Sequence, residues 1–130
     1  MMISSQELVS MAAKARENAY APYSGFAVGA ALQGCSGRVY YGCNVENSAY
    51  SPSICAERVA IGSAIAAGER NFAALAVIGN EREYCYPCGV CRQVLAEFCD
   101  EDFPIYVAKG LKEIKTMTLG SLLAHAFRLK

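Results

Sequence analysis

Apolar positions recur at helical spacing near the start of the chain. Leu8, Met11, Ala12 and Ala15 mark one face, and the pattern predicts a helix from about Ser4 to Tyr20 with Ser4 or Ser5 as its cap. Ala21-Pro22-Tyr23-Ser24-Gly25 ends it. Phe26 to Leu32 reads as a buried strand, Gly34 to Gly37 as a turn and Arg38 to Val45 as the return strand of a hairpin. Ser51-Pro52 fits the cap and first position of a second helix that runs through Ala67 and stops at Gly68. Ala73 to Ile78 is a short apolar run, the expected central strand. Pro87 opens a third helix that continues through Leu95 and Phe98. Strands follow at Pro104–Ala108 and Ile114–Thr118, with a helical turn or two over Leu119–Ala126. This interleaving predicts one α/β layered domain over residues 1–130, without repeats or a linker.

Composition narrows the function classes. The chain is 54% hydrophobic and 18% charged, which excludes disorder and favours an apolar surface buried against another subunit. Twelve basic and twelve acidic residues cancel, and no basic stripe is present. Nucleic-acid binding relies on a positive field, so a small neutral ligand is the better expectation. Met1 to Ser10 does not resemble a signal peptide, and no stretch approaches the ~20 apolar residues of a membrane span. The expectation is a cytoplasmic protein with no membrane partner. Clustered cysteines in a reducing compartment favour metal or redox chemistry over disulfides, and the count of seven is odd.

Three of those cysteines sit at the fronts of predicted helices. Cys55 lies in the first turn of the second, and Cys88 and Cys91 open the third at a spacing that shares one face. Helix N-termini favour thiolate over thiol. Three thiolates on Zn²⁺ leave one tetrahedral position open, as catalytic zinc requires, and a surplus negative charge that Arg58 and Arg92 are near enough in sequence to offset. Glu57 is the candidate base. Residues i and i+2 do not share a helical face, so Cys55 and Glu57 reach one site only if Cys55 looks along the helix end. Spacing alone leaves rivals open. Cys85 with Cys55, Cys88 and Cys91 makes a closed four-thiol structural site. A redox pair or iron–sulfur motif is the third reading, although position 95, where the iron–sulfur pattern needs cysteine, is Leu. Cys35, Cys43 and Cys99 read as small buried apolar residues, and His125, the single histidine, builds no histidine-rich site.

Cys55-Ala56-Glu57 followed by Pro87-Cys88-Gly89-Val90-Cys91 resembles the zinc deaminase signature, His- or Cys-x-Glu then Pro-Cys-x-x-Cys, in its three-cysteine form. Ala21-Pro22-Tyr23-Ser24, Phe26 to Ala31, Asn44-Val45-Glu46-Asn47 and Cys88 to Gln93 are similar to the small homotetrameric cytidine deaminases, and the likeness covers nearly the whole chain. The resemblance implies a three-layer α/β/α fold with a five-stranded mixed sheet, one zinc per subunit, and hydrolytic deamination of cytidine and deoxycytidine in pyrimidine salvage. It implies that Glu57 is catalytic and that Cys55, Cys88 and Cys91 hold the metal, with Arg58 bonding the ligand thiolates. It implies substrate contacts from Phe26, Asn44, Glu46, Ser48 and Ala56. Tyr50 and Phe127 match positions that reach a neighbouring subunit's site. Gly25 stands where the family commonly has a basic residue, and no proline precedes Phe127. A deaminase of another aminopyrimidine nucleoside such as blasticidin S, a polynucleotide-editing deaminase and a non-catalytic zinc module are the rival expectations.

Overall fold

The computed structural model describes residues 2–129. Helix α1 (Ser5–Arg16) begins with a capping box: the Ser4 hydroxyl accepts from the Glu7 amide at 3.2 Å, and the Glu7 carboxylate accepts from the Ser4 amide at 3.4 Å. It stops four residues before Tyr20. The backbone of Tyr20 is taken up by a bridge, donating to Asn44 O and accepting from Glu46 N, both at 2.9 Å. Strand β1 (Gly29–Gly34) starts three residues later than the apolar run suggested, because side chains satisfy the backbone before it. Asn44 accepts from Val28 N and donates to Phe26 O, and Ser24 Oγ accepts from Phe26 N. Strand β2 (Val39–Cys43) completes the hairpin.

Helix α2 (Ala56–Ala66) also starts late. Ile54 exchanges both backbone hydrogen bonds with Val45 at 2.9 Å, which holds the chain extended, so Ser51-Pro52 forms a turn and Cys55 becomes the N-cap. The helix ends as expected before Gly68, whose φ of 92° suits glycine. Strand β3 (Phe72–Ile78) leads to helix α3 (Gly89–Phe98), where Cys88, not Pro87, marks the start. Strands β4 (Pro104–Lys109) and β5 (Glu113–Thr118) and the single-turn helix α4 (Leu119–Leu122) complete the chain.

The five strands form one sheet in the order β2-β1-β3-β4-β5. The β3–β4 pair is parallel and the other pairs are antiparallel, so β3 is central. Period-two alternation separates two cores. Ala31, Ala74, Ala76, Ile78 and Ala108 face Leu8, Val9 and Ala12 of α1. Ala30, Leu32, Leu75, Val77, Ile105 and Val107 face the layer of α2, α3 and α4. This is the three-layer α/β/α arrangement. Cys35 departs from expectation: it lies exposed after β1, whereas Cys99 is buried.

Glycine sets how closely α2 approaches the sheet. A Cβ at Gly42 would collide with the Ala56 carbonyl and lie 2.7 Å from Ala60 N. Backbone is on both sides, so the collision has no easy relief. Gly42→Ala is expected to destabilise the protein by about 1–3 kcal/mol, read as a lower urea midpoint at unchanged m-value. An unchanged midpoint would mean that α2 is not seated against β2 in this way.

Candidate active site

Two helix ends meet at the thiols. Cys55 and Cys88 are the N-caps of α2 and α3, with extended backbone, and neither side chain makes a capping hydrogen bond. Each sulfur is therefore free to look outward from a helix end rich in unpaired N–H groups. Cys91, one turn into α3, is fully buried. The Sγ atoms of Cys55 and Cys88 are 3.6 Å apart, as are those of Cys88 and Cys91, and all three lie within 4.8 Å of one another.

This donor set fits zinc. Two sulfurs on a tetrahedral centre with zinc–sulfur bonds of about 2.3 Å stand ~3.8 Å apart, close to the observed spacing. The charge arrangement agrees. Arg58 Nη2 donates to Cys55 Sγ at 3.4 Å, and Arg58 Nε is buried with no acceptor among the described residues. Cys55 is the acidic thiol, drawn down to about 5 by the hydrogen bond from Cys91 and by Arg58, against the effect of burial. Cys91 is pushed up by that same hydrogen bond and by burial. A divalent cation would take the place of the remaining protons. Arg92 does not share in this. Its guanidinium donates to the carbonyls of Pro87 and Leu122, both at 2.7 Å, so it braces α3 and the expected charge compensation falls to Arg58.

A cavity of about 180 Å³ opens beside the thiols, lined by Phe26, Asn44, Cys55, Ala56, Glu57 and Cys88 among others. Glu57 follows Cys55 by two residues, and both reach the cavity because Cys55 caps the helix end. The Glu57 side chain is buried, which raises its pKa to about 7, with a further push from the Cys55 charge. A carboxyl poised there both takes and gives protons at neutral pH. A larger cavity of about 500 Å³, bordered by Met11, Lys14, Tyr41, Cys43 and Val59, holds no such cluster among the described residues.

The other substrate candidates lie outside this cavity within the single chain. Glu46 accepts from the amides of Tyr23 and Ser24 and from the Ser24 hydroxyl, which hold its carboxyl below the usual range. It lines a separate cleft of about 330 Å³ with Tyr50. Ser48 Oγ pairs with Tyr23 Oη at 2.8 Å. Tyr50 and Phe127 are 74% and 70% exposed, a degree of exposure that leaves both rings open to a partner. Cys85 and Tyr86 also line the thiol cavity. Spacing offered Cys85 only as a fourth ligand, and the one signal for Tyr86 is adjacency to Pro87-Cys88. Cys85 stands apart from the metal trio, and burial pushes its thiol up to about 12. Cys85→Ser is expected to keep one zinc per chain by metal analysis. Loss of zinc would indicate the closed four-thiol site instead.

Residues 2–107 match the family model described as the cytidine and deoxycytidylate deaminase zinc-binding region. The chain belongs to this family. The matched span contains all three thiols and Glu57, so zinc is the metal the trio is placed to hold. Among relatives, the cytidine deaminase of Sporosarcina psychrophila is 48% identical over 122 residues, 94% of this chain and 90% of that protein. The cytidine deaminase of Halalkalibacterium halodurans is 43% identical, covering 94% and 92%. The crystal structure of cytidine deaminase from Burkholderia pseudomallei superposes with a TM-score of 0.92 at 44% identity, covering 96% of this chain and all of that one. Among the described residues, no helix is long and apolar enough to cross a membrane.

Proposed function

We propose that this protein is a zinc-dependent cytidine deaminase that converts cytidine and deoxycytidine to uridine and deoxyuridine, releasing ammonia. The observation that carries this reading is one cavity holding both the three-thiol cluster and the buried Glu57 carboxyl. Its volume of about 180 Å³ suits a pyrimidine ring. The named activity of the relatives supports the same substrate class.

When bound, zinc would supply the Lewis acidity that readies a water for attack. Cys55, Cys88 and Cys91 hold the metal, and Arg58 steadies the Cys55 sulfur. Glu57 accepts a proton from the attacking water and delivers it to ring N3 as the water oxygen bonds to C4. It then carries the second water proton to the exocyclic nitrogen. The C4–N bond breaks, ammonia leaves, and the oxygen remains as the uridine carbonyl. One carboxyl acts as base and then as acid, the role suited to a group whose pKa is about 7.

Phe26 packs on the ring, while the Ala56 backbone and Glu57 read its edge. Asn44 spends one amide hydrogen and one lone pair on Phe26 and Val28, which leaves one of each for a ribose hydroxyl. Glu46 meets the ribose by giving up the Ser24 hydroxyl, and Ser48 lies alongside. The exposed Tyr50 and Phe127 reach a neighbouring chain's site in a homotetramer, and the enzyme works in the cytoplasm on free nucleosides. Cytidine, deoxycytidine, blasticidin S and a cytosine-bearing single-stranded oligonucleotide, offered side by side, test this. Turnover of the two simple nucleosides is expected. Turnover confined to blasticidin S or to the oligonucleotide would overturn the assignment.

A further inference from the structure

Gly79 directly follows β3, and no backbone requirement accounts for a glycine there. The described glycines with positive φ are Gly25, Gly37, Gly68 and Gly110. What Gly79 supplies is space. A Cβ built on it would lie 2.6 Å from Phe26 Cζ, 3.2 Å from Phe26 Cε2 and 3.4 Å from Cys85 Sγ. Ordinary carbon contacts begin at about 3.5 Å.

Neither backbone is free to yield. The Gly79 carbonyl accepts a hydrogen bond from Arg16 Nη1 at the end of α1. The preceding Ile78 is paired with Gly29 on one side and Ala108 on the other. Phe26 is pinned at both ends of its residue, donating to Ser24 Oγ at 3.0 Å and accepting from Asn44 Nδ2 at 2.8 Å. Relief must come from the Phe26 ring turning on its side-chain torsions. Phe26 and Cys85 line the thiol cavity and Gly79 does not, so a methyl at 79 presses from behind the wall.

We propose that Gly79 is a positioning residue for substrate: the volume it leaves empty seats the Phe26 ring and thereby sets the width of the pyrimidine slot. The assignment rests on the cytidine deaminase reading for its substrate, but its steric part stands on Phe26 alone. A slot of about 180 Å³ has little slack, so a displaced ring costs binding. The thiols and Glu57 are untouched, so the loss falls on KM rather than kcat.

The test is a cycle of Gly79→Ala, Phe26→Leu and the double variant, each measured for cytidine kinetics and melting temperature and each examined by crystallography. Gly79→Ala is expected to raise KM roughly tenfold with kcat within about twofold. The same change in the Phe26→Leu background is expected to have little effect on KM, because the clashing atoms are gone. The crystal structure of Gly79→Ala should show the Phe26 ring displaced away from residue 79. An unmoved ring with unchanged KM overturns the proposal, as does an equal rise in KM in both backgrounds. If Gly79→Ala alone does not fold, recovery of folded protein in the double variant supports the contact and failure of both overturns it. If the parent protein leaves cytidine unchanged, the functional reading falls, and ring displacement still decides the role of Gly79.

Discussion

Glu57→Gln is expected to retain one zinc per chain and to lower kcat by roughly a thousandfold or more. The substitution keeps the shape of a buried side chain and removes its ability to exchange a proton. The amide can still donate to a carbonyl or accept from an amine, so ground-state binding survives better than turnover. The three sulfurs are expected to keep their positions: Cys55 and Cys88 are fixed by the helix ends, and Cys91, which also hydrogen-bonds the Glu57 carboxyl, by burial in α3. Steady-state kinetics with metal analysis on the same preparation checks this. A variant with full zinc and a rate close to that of the parent would remove Glu57 from the reaction. A variant without zinc would mean that the carboxyl helps build the metal site.

The second large effect is at Cys91. Cys91→Ala is expected to lose zinc, lose detectable turnover and melt several degrees lower, because the metal joins the first turns of α2 and α3. Two thiols remain, of which Cys88 is exposed, and two sulfurs do not make a three-ligand catalytic site. A strong chelator should bring the parent protein to the same state, and added zinc should restore the parent but not the variant. The melting temperature separates this from simple misfolding: stripped parent and variant should melt alike. A Cys91→Ala protein that still binds one zinc and turns over cytidine would refute the ligand set.

Much of this was legible in the chain, and the misses share a cause. The α1 pattern, the hairpin, the central β3 and the Gly68 stop follow from periodicity and from glycine and proline chemistry, all of which are local. The starts of β1 and α2 were misplaced because tertiary hydrogen bonds overrode local rules. Asn44 takes the backbone of Phe26 and Val28 out of the ladder, and Val45 pairs with Ile54 where Ser51-Pro52 would otherwise start a helix. That later start is what allows Cys55 and Glu57 to share a cavity despite their spacing. At the site, the three cysteines were visible because helix-end spacing is local. The diversion of Arg92 to Leu122, the cavity contact of Tyr86, and the packing of Gly79 behind Phe26 were not, because each depends on segments brought together only by the sheet.

The most direct test of the central claim mixes purified protein of known zinc content with cytidine and follows the ultraviolet change to uridine, with and without a chelator strong enough to strip the site. Conversion that disappears with the metal and returns when zinc is restored is the predicted result. A protein that holds one zinc on three sulfurs and leaves cytidine unchanged would contradict the account.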